Sequence, residues 1–251
     1  MNPGPGHDND NESDTGSSGD SDSESRAVAA RYARRAATDR YSVLQPDVWQ
    51  TVQERQRAML RLLKRLGWRD LSALRLFEVG CGSGGNLLEF LRLGFAPQHL
   101  AGVELLAQRH AQARAVLPAR VTLHLGDAAV LDLPAQSQDI VFVSTVFSSL
   151  LDDAFQQRMA DTMWAWLKPG GAVLWYDFTY DNPRNPDVRG VPLDRVRALF
   201  PHGHVAHRRV TLAPPLARVL CRWHPALYGV FNTLPLLRTH VLAWITKPAH
   251  R

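Results

Sequence analysis

The chain has 251 residues, enough for one sizeable core with tails and too few for several domains. Hydrophobic residues make up 45% and charged residues 21%, and no apolar run approaches the roughly 18 residues that span a bilayer, so a globular chain without a membrane span is expected. Only Cys81 and Cys221 are present, with no CxxC and no Cys/His cluster, which argues against a disulfide scaffold and a zinc site; no metal is expected. The start is acidic and polar where a secretory signal needs a basic and then an apolar stretch, so the expected compartment is the cytoplasm.

The net charge of +5 conceals two opposite parts. Residues 1–25 hold seven acids and no Lys or Arg, leaving +12 for residues 26–251. From Arg184 onward ten Arg and one Lys face only Asp187 and Asp194. Such a balance favours anionic ligands or surfaces, or is a solvated Arg-rich face.

Residues 1–25 lack the apolar side chains that offset ordering entropy and are expected to be a disordered tail, with the folded domain over 26–251. Val48 to Leu66 repeats apolar residues near every 3.6 and ends at Gly67, predicting an amphipathic helix. Leu74 to Val79 then reads as a strand, Asn86 to Leu93 as a helix, His99 to Val103 as a strand and Ala107 to Leu117 as a helix. Arg120 to Leu125 and the apolar run Asp139 to Val143 are further strands, the latter fit for the centre of a parallel sheet. Asp153 to Leu167 is helical, Lys168 to Gly171 a turn, and Ala172 to Tyr176 the fifth strand. Leu193 to Phe200 and Pro214 to Arg222 read as helices, His204 to Leu212 and His240 to Lys247 as strands. The alternation predicts an α/β fold: a doubly wound, mostly parallel seven-stranded sheet with helices on both faces, and a looser, partly helical region over about 179–240 around the last strands.

In such a sheet the ligand crevice lies beyond the carboxyl ends of the strands. The first end reads Glu78-Val79-Gly80-Cys81-Gly82-Ser83-Gly84-Gly85-Asn86, where missing Cβ atoms let the backbone turn and approach a ligand. Gly80-x-Gly82-x-x-Gly85 also spells the dinucleotide fingerprint. The second strand ends in Glu104, placed to accept from ribose hydroxyls in either case. The third ends in Gly126-Asp127-Ala128, and an Asp there is no part of that fingerprint, so adenosine without a diphosphate fits better.

Glu78 to Gly84, Glu104, Gly126-Asp127, Asp139-Ile140-Val141 and Leu167-Lys168-Pro169-Gly170-Gly171, in this order, resemble the class I S-adenosylmethionine-dependent methyltransferases over about residues 48–180. The resemblance implies a Rossmann-like methyltransferase with antiparallel sixth and seventh strands, S-adenosyl-L-methionine as cofactor and S-adenosyl-L-homocysteine as product. It implies that Gly80, Cys81, Gly82, Ser83 and Gly84 lie beside the methionine moiety and Glu78 near its ammonium. Glu104 would hold the ribose, Leu105 pack on the adenine, and Asp127 and Ala128 fix the adenine edge. Ser144, Thr145 and Phe147 would line the reacting end.

A hydroxyl acceptor has to lose a proton, and the candidates for a base are Asp177 and Asp181, in the polar and aromatic stretch Trp175 to Gly190 that follows the fifth strand. Tyr176, Arg184 and Arg189 of that stretch are candidate acceptor contacts, as are Tyr32, Arg35, Tyr41 and Arg57 around an amino-terminal segment that in this family often covers the cofactor. The 211–218 and 234–240 runs, with the 181–190 loop, look like a bacterial subgroup associated with surface polysaccharide or glycolipid biosynthesis. That points to a small-molecule, glycan or lipid-linked sugar acceptor, with peripheral contact to an anionic membrane surface at the inner face. The stripe that would make this contact, Leu216, Val219, Leu220, Trp223, Leu227, Tyr228, Val230 and Phe231 interleaved with Arg218, Arg222 and Arg238, is more often a helix packed on the core. Two other readings stay open: a nucleic-acid methyltransferase, disfavoured because Ser144-Thr145-Val146-Phe147 is not the Asp/Asn-Pro-Pro-aromatic motif, and a non-catalytic S-adenosylmethionine-binding partner protein.

Overall fold

The computed structural model describes residues 16–34, 42–183 and 185–249. Its frame is a seven-stranded sheet of order β3-β2-β1-β4-β5-β7-β6. The strands are β1 (Leu76–Val79), β2 (Leu100–Glu104), β3 (Thr122–Leu125), β4 (Gln138–Ser144), β5 (Leu167–Phe178), β6 (His204–Leu212) and β7 (Arg238–Thr246). The first five run parallel, as right-handed crossovers through helices require. β7 runs against both β5 and β6, so β6 points the same way as the first five and only β7 is reversed, not both closing strands as expected. The connection over residues 213–237 brings the chain back beside the end of β6, with Arg238 opposite Leu212, so β7 runs antiparallel to it.

Alternate residues of each central strand feed two apolar layers. On one face Phe77, Val79, Val141, Val143, Val173 and Trp175 pack under α5 (Asp153–Trp166) and α6 (Leu193–Leu199). On the other, Leu76, Leu100, Ile140, Phe142 and Leu174 pack under α2 (Pro46–Arg65), α3 (Gly85–Leu93) and α4 (Ala107–Val116). Each large side chain buried this way contributes about 1.5–3 kcal/mol.

Three elements depart from the sequence expectations. Lys168 to Gly171 is a bulged part of β5, where the register jumps from Gln138 opposite Leu167 to Ile140 opposite Ala172. A short helix not expected from the sequence, α8 (Ala226–Phe231), follows the expected α7 (Pro214–Trp223) and forms with it and Leu212 a third small core around Tyr228. The expected disordered tail is corrected over its second half: α1 covers Gly16–Arg34, while residues 1–15 lie outside the described residues. What holds α1 is polar anchoring at long range, which composition does not reveal. Glu24 accepts from the Leu151 backbone N–H at 2.9 Å and pairs with Arg31, whose guanidinium also donates to the Ser149 carbonyl.

Candidate active site

The strand order reverses between β1 and β4, and the crevice at the carboxyl ends of these strands is where a doubly wound sheet binds ligands. Each strand delivers one wall. After β1 the chain turns at Gly80, whose φ of +67° is left-handed and whose missing Cβ would otherwise meet Val146 Cγ2 at 2.6 Å. At the end of β2, Glu104 spans the turn: its carboxylate accepts from the Gly82 N–H at 2.8 Å and the Leu106 N–H at 2.9 Å. At the end of β3, Asp127 accepts from the Ala129 N–H at 2.7 Å and from the Ser25 hydroxyl of α1 at 2.5 Å. At the end of β4, Thr145 holds a φ of +54°, costly for a β-branched residue, and its N–H donates to the Tyr176 carbonyl.

Of the residues expected around a cofactor, the structure gathers Gly80, Glu104, Leu105, Asp127, Ala128, Ser144 and Thr145 on one cavity wall. Gly82, Ser83 and Gly84 build the turn behind it, with Gly84 at φ +86° capping α3 and packed against Leu117. Cys81 is buried beneath Gly102, and burial pushes its thiol far above the ordinary value, so it is inert packing. Phe147 is a correction: it is fully buried against Trp175, ring centroids 4.6 Å apart, and does not face the crevice.

Glu78 lies under the glycine turn with no exposed surface. Its Oε1 accepts from Asn86 Nδ2 at 2.6 Å, while Oε2 has no hydrogen-bond partner. Burial pushes its carboxyl up to about 8. On the other side of Asn86, Oδ1 accepts from Arg55 Nη2 at 2.7 Å; Arg55 Nη1 reaches Ser144 Oγ at 3.4 Å, and its buried Nε also lacks a partner. One amide thus joins an acid and a guanidinium, each with an unused hydrogen-bonding position. Arg55 also faces the Glu89 carboxylate at 3.4 Å, so what is left over is the cost of two unpartnered buried atoms, Glu78 Oε2 and Arg55 Nε, which a ligand completes. An α-amino acid zwitterion has both complementary poles, so these residues fit the methionine end of S-adenosylmethionine.

The candidate bases occupy other roles. Asp177 is buried, accepts from the Ser148 and Phe178 N–H groups at 3.0 and 2.9 Å, and is pushed up to about 7 by burial; it lies outside the cavity wall. Asp181 accepts from the Gly190 N–H at 2.8 Å and closes the 181–190 loop on itself. Both fix backbone, a correction to their reading as bases. Among the candidate acceptor contacts, Tyr32 lies on the cavity wall beneath the Arg109 guanidinium, 4.5 Å above its ring. Tyr176 is buried, donating to or accepting from Thr211 Oγ1 at 2.8 Å, with Arg55 over its ring and His240 stacked 5.0 Å away. Arg189 pairs with Asp153 and Arg57 is exposed, both away from the crevice. Arg35, Tyr41 and Arg184 lie outside the described residues.

Arg55, Asn86, Ser25 and Arg109 were missed. Arg57, the candidate from the sequence, stands two residues from Arg55 on the same helix, which turns its side chain by about 200°. Asn86 stood inside the quoted glycine motif but is not part of the expected contact set. For Ser25, Val28 and Tyr32 the available signal was the spacing of Val28 and Tyr32, one helical turn apart.

The methyltransferase domain family model matches residues 76–171. No curated protein matches the chain. Solved structures with similar folds include an S-adenosylmethionine-dependent methyltransferase of Mesorhizobium loti, 17% identical, TM-score 0.55, over 73% of this chain and 95% of that one. Another from Methanosarcina mazei is 12% identical, TM-score 0.54, over 71% and 94%. Phosphoethanolamine N-methyltransferase 2 of Haemonchus contortus, solved with phosphomonomethylethanolamine and S-adenosylhomocysteine, is 17% identical, TM-score 0.54, over 75% and 52%. At these identities the likeness is one of fold. The chain thus carries a match to a methyltransferase domain over residues 76–171, on a fold that it shares with S-adenosylmethionine-dependent methyltransferases.

Proposed function

We propose that the crevice binds S-adenosylmethionine with Glu78 at the ammonium, Arg55 at the carboxylate, Glu104 at the ribose and Asp127 with Ala128 at the adenine edge. The observation that carries this is the pair of unfilled positions on Glu78 and Arg55, joined through Asn86. The cofactor supplies a methyl group on a sulfonium, and the protein has to align an acceptor and exclude water, which orientation alone rewards with about 7–11 kcal/mol. Tyr32, Val28 and Leu150 close the cavity against solvent.

The acceptor we infer is a hydroxyl on a small molecule, a glycan or a lipid-linked sugar, in surface polysaccharide or glycolipid biosynthesis, reached from the cytoplasm with peripheral contact to an anionic membrane surface. Beyond Ser144 the polar groups continue along the β5–β7–β6 edge: Tyr176, Thr211 and His240, then the exposed Tyr180 ring with Arg209 donating to its hydroxyl at 2.7 Å. A flat aromatic face next to a guanidinium supports a sugar ring that carries phosphate. The test is methyl transfer from isotope-labelled S-adenosylmethionine into cell fractions. Label in a glycan or lipid-linked glycan that resists mild alkali, as a methyl ether does, supports the reading. Label released by nuclease overturns it.

A further inference from the structure

No Asp or Glu follows Asp194, while eight Arg and one Lys do. Within this carboxylate-free stretch α7 turns Ala217 and Cys221 into the third core and leaves Val219 and Trp223, one helical turn apart, on the outside. Trp223 is 83% exposed. Arg218 and Arg222, also one turn apart, run beside that apolar stripe, and Arg218 reaches Asp47 only at 3.8 Å. Val230 of α8 and Leu234 are exposed too, and Leu236 is 89% exposed. The turn that carries Leu236 is tied to the start of α7 by the Ala213 N–H donating to the Leu237 carbonyl. Pro46 and Asp47 share a cavity with Arg218, Cys221 and Arg222, which brings the exposed Leu44 to the same side.

A large apolar side chain left in water forfeits about 1.5–3 kcal/mol of burial, and a cluster of them marks a contact surface. Charge decides its occupant. Two copies meeting symmetrically on this face would set arginines against arginines, with Asp47, already facing Arg218 at 3.8 Å, as the carboxylate beside them. A nucleic acid would answer the arginines but leave Leu236, Val219 and Val230 in water. An anionic bilayer answers both, with headgroup phosphates at the guanidiniums and an interfacial layer for the ring and the aliphatic tips.

We propose that the face formed by α7, α8 and the 234–237 turn seats the protein on an anionic bilayer surface. This deepens the lipid-linked arm of the proposed function and rests on it for purpose, while its evidence is separate. The face adjoins the acceptor edge: the Tyr228 hydroxyl of α8 accepts from the Leu212 N–H at 3.3 Å and from Thr51 Oγ1 at 3.4 Å, the latter on α2 one turn before Arg55.

The experiment is co-sedimentation of the full chain with vesicles of phosphatidylcholine, with and without phosphatidylglycerol, for the native protein, Trp223→Ser/Leu236→Ser and Arg218→Gln/Arg222→Gln. The expected result is binding that needs phosphatidylglycerol, weakens with salt, and falls about tenfold or more in each double variant. Calorimetry with S-adenosylhomocysteine accompanies each variant. Unchanged affinity there shows an intact fold and separates a failed membrane contact from a failed cofactor site. Equal sedimentation of native and variant proteins overturns the proposal, as does equal binding to neutral and anionic vesicles. So does a dimer, seen by light scattering, that Trp223→Ser/Leu236→Ser dissolves.

Discussion

A carboxylate with one oxygen held by an amide and the other unpaired is a poor way to stabilise a core, and Glu78 is best understood through the ligand that completes it. Arg55→Met should therefore weaken S-adenosylhomocysteine by about 2 kcal/mol or more, roughly thirtyfold in Kd. The same variant should bind 5′-methylthioadenosine, which lacks the amino acid end, as the native protein does. Equal losses for both ligands in calorimetry would remove Arg55 from the carboxylate. The empty protein also carries a pH signature. Burial raises Glu78 from the ordinary 4.5 to about 8, so between those values the folded chain keeps a proton that the unfolded chain has released. Stability is full below the lower value and is lost as pH rises through the upper one. Asp177, raised from 3.8 to about 7, adds the same sign in a lower window. Glu78→Gln should flatten the upper part of the melting curve against pH and raise Tm by several degrees at pH 8, measured by scanning calorimetry without ligand. An unchanged slope would contradict the buried, unpaired carboxylate. At this scale the sequence showed Glu104 and Asp127 because they end strands. It hid Arg55 because nothing local distinguishes it from Arg57, and it misled on Phe147 and Asp177 because strand-end position does not tell which way a side chain turns.

Among the elements, α1 is the one whose removal separates binding from folding. It lines the cavity with Ser25, Val28 and Tyr32 and puts little else into the core, since Val28 is its one apolar residue in the main cluster's buried set among the described residues. Deleting residues 1–34 should cost about 1.4 kcal/mol or more in S-adenosylhomocysteine affinity, a tenfold rise in Kd, with Tm lowered by only a few degrees. A collapse of Tm with loss of all secondary structure would instead make α1 part of the folding core. The strands and the helices between them were legible because period 2 and period 3.6 alternate with glycine and proline at the joints. α1 was not, because it is held by Glu24 and Arg31 reaching backbone more than a hundred residues away. The Lys168–Gly171 segment looked like a turn and is one in effect, yet Gly170 and Gly171 still exchange backbone hydrogen bonds with Lys247 at the end of β7.

For the whole molecule the fold was readable and the direction of β6 was not, since strand sense depends on which end the connection returns to and leaves no mark in hydrophobic pattern. Charge is also a property of the whole: residues 1–25 hold acids and no Lys or Arg, while the rest of the chain is basic. The central claim is that this turn and the acids on its rims bind S-adenosylmethionine. Among the described residues no helix is long and apolar enough to cross a membrane. Isothermal titration of the purified full-length chain with S-adenosylhomocysteine should give saturable heat at one ligand per chain; no heat with that ligand, beside clear binding of a nicotinamide dinucleotide, would contradict the account.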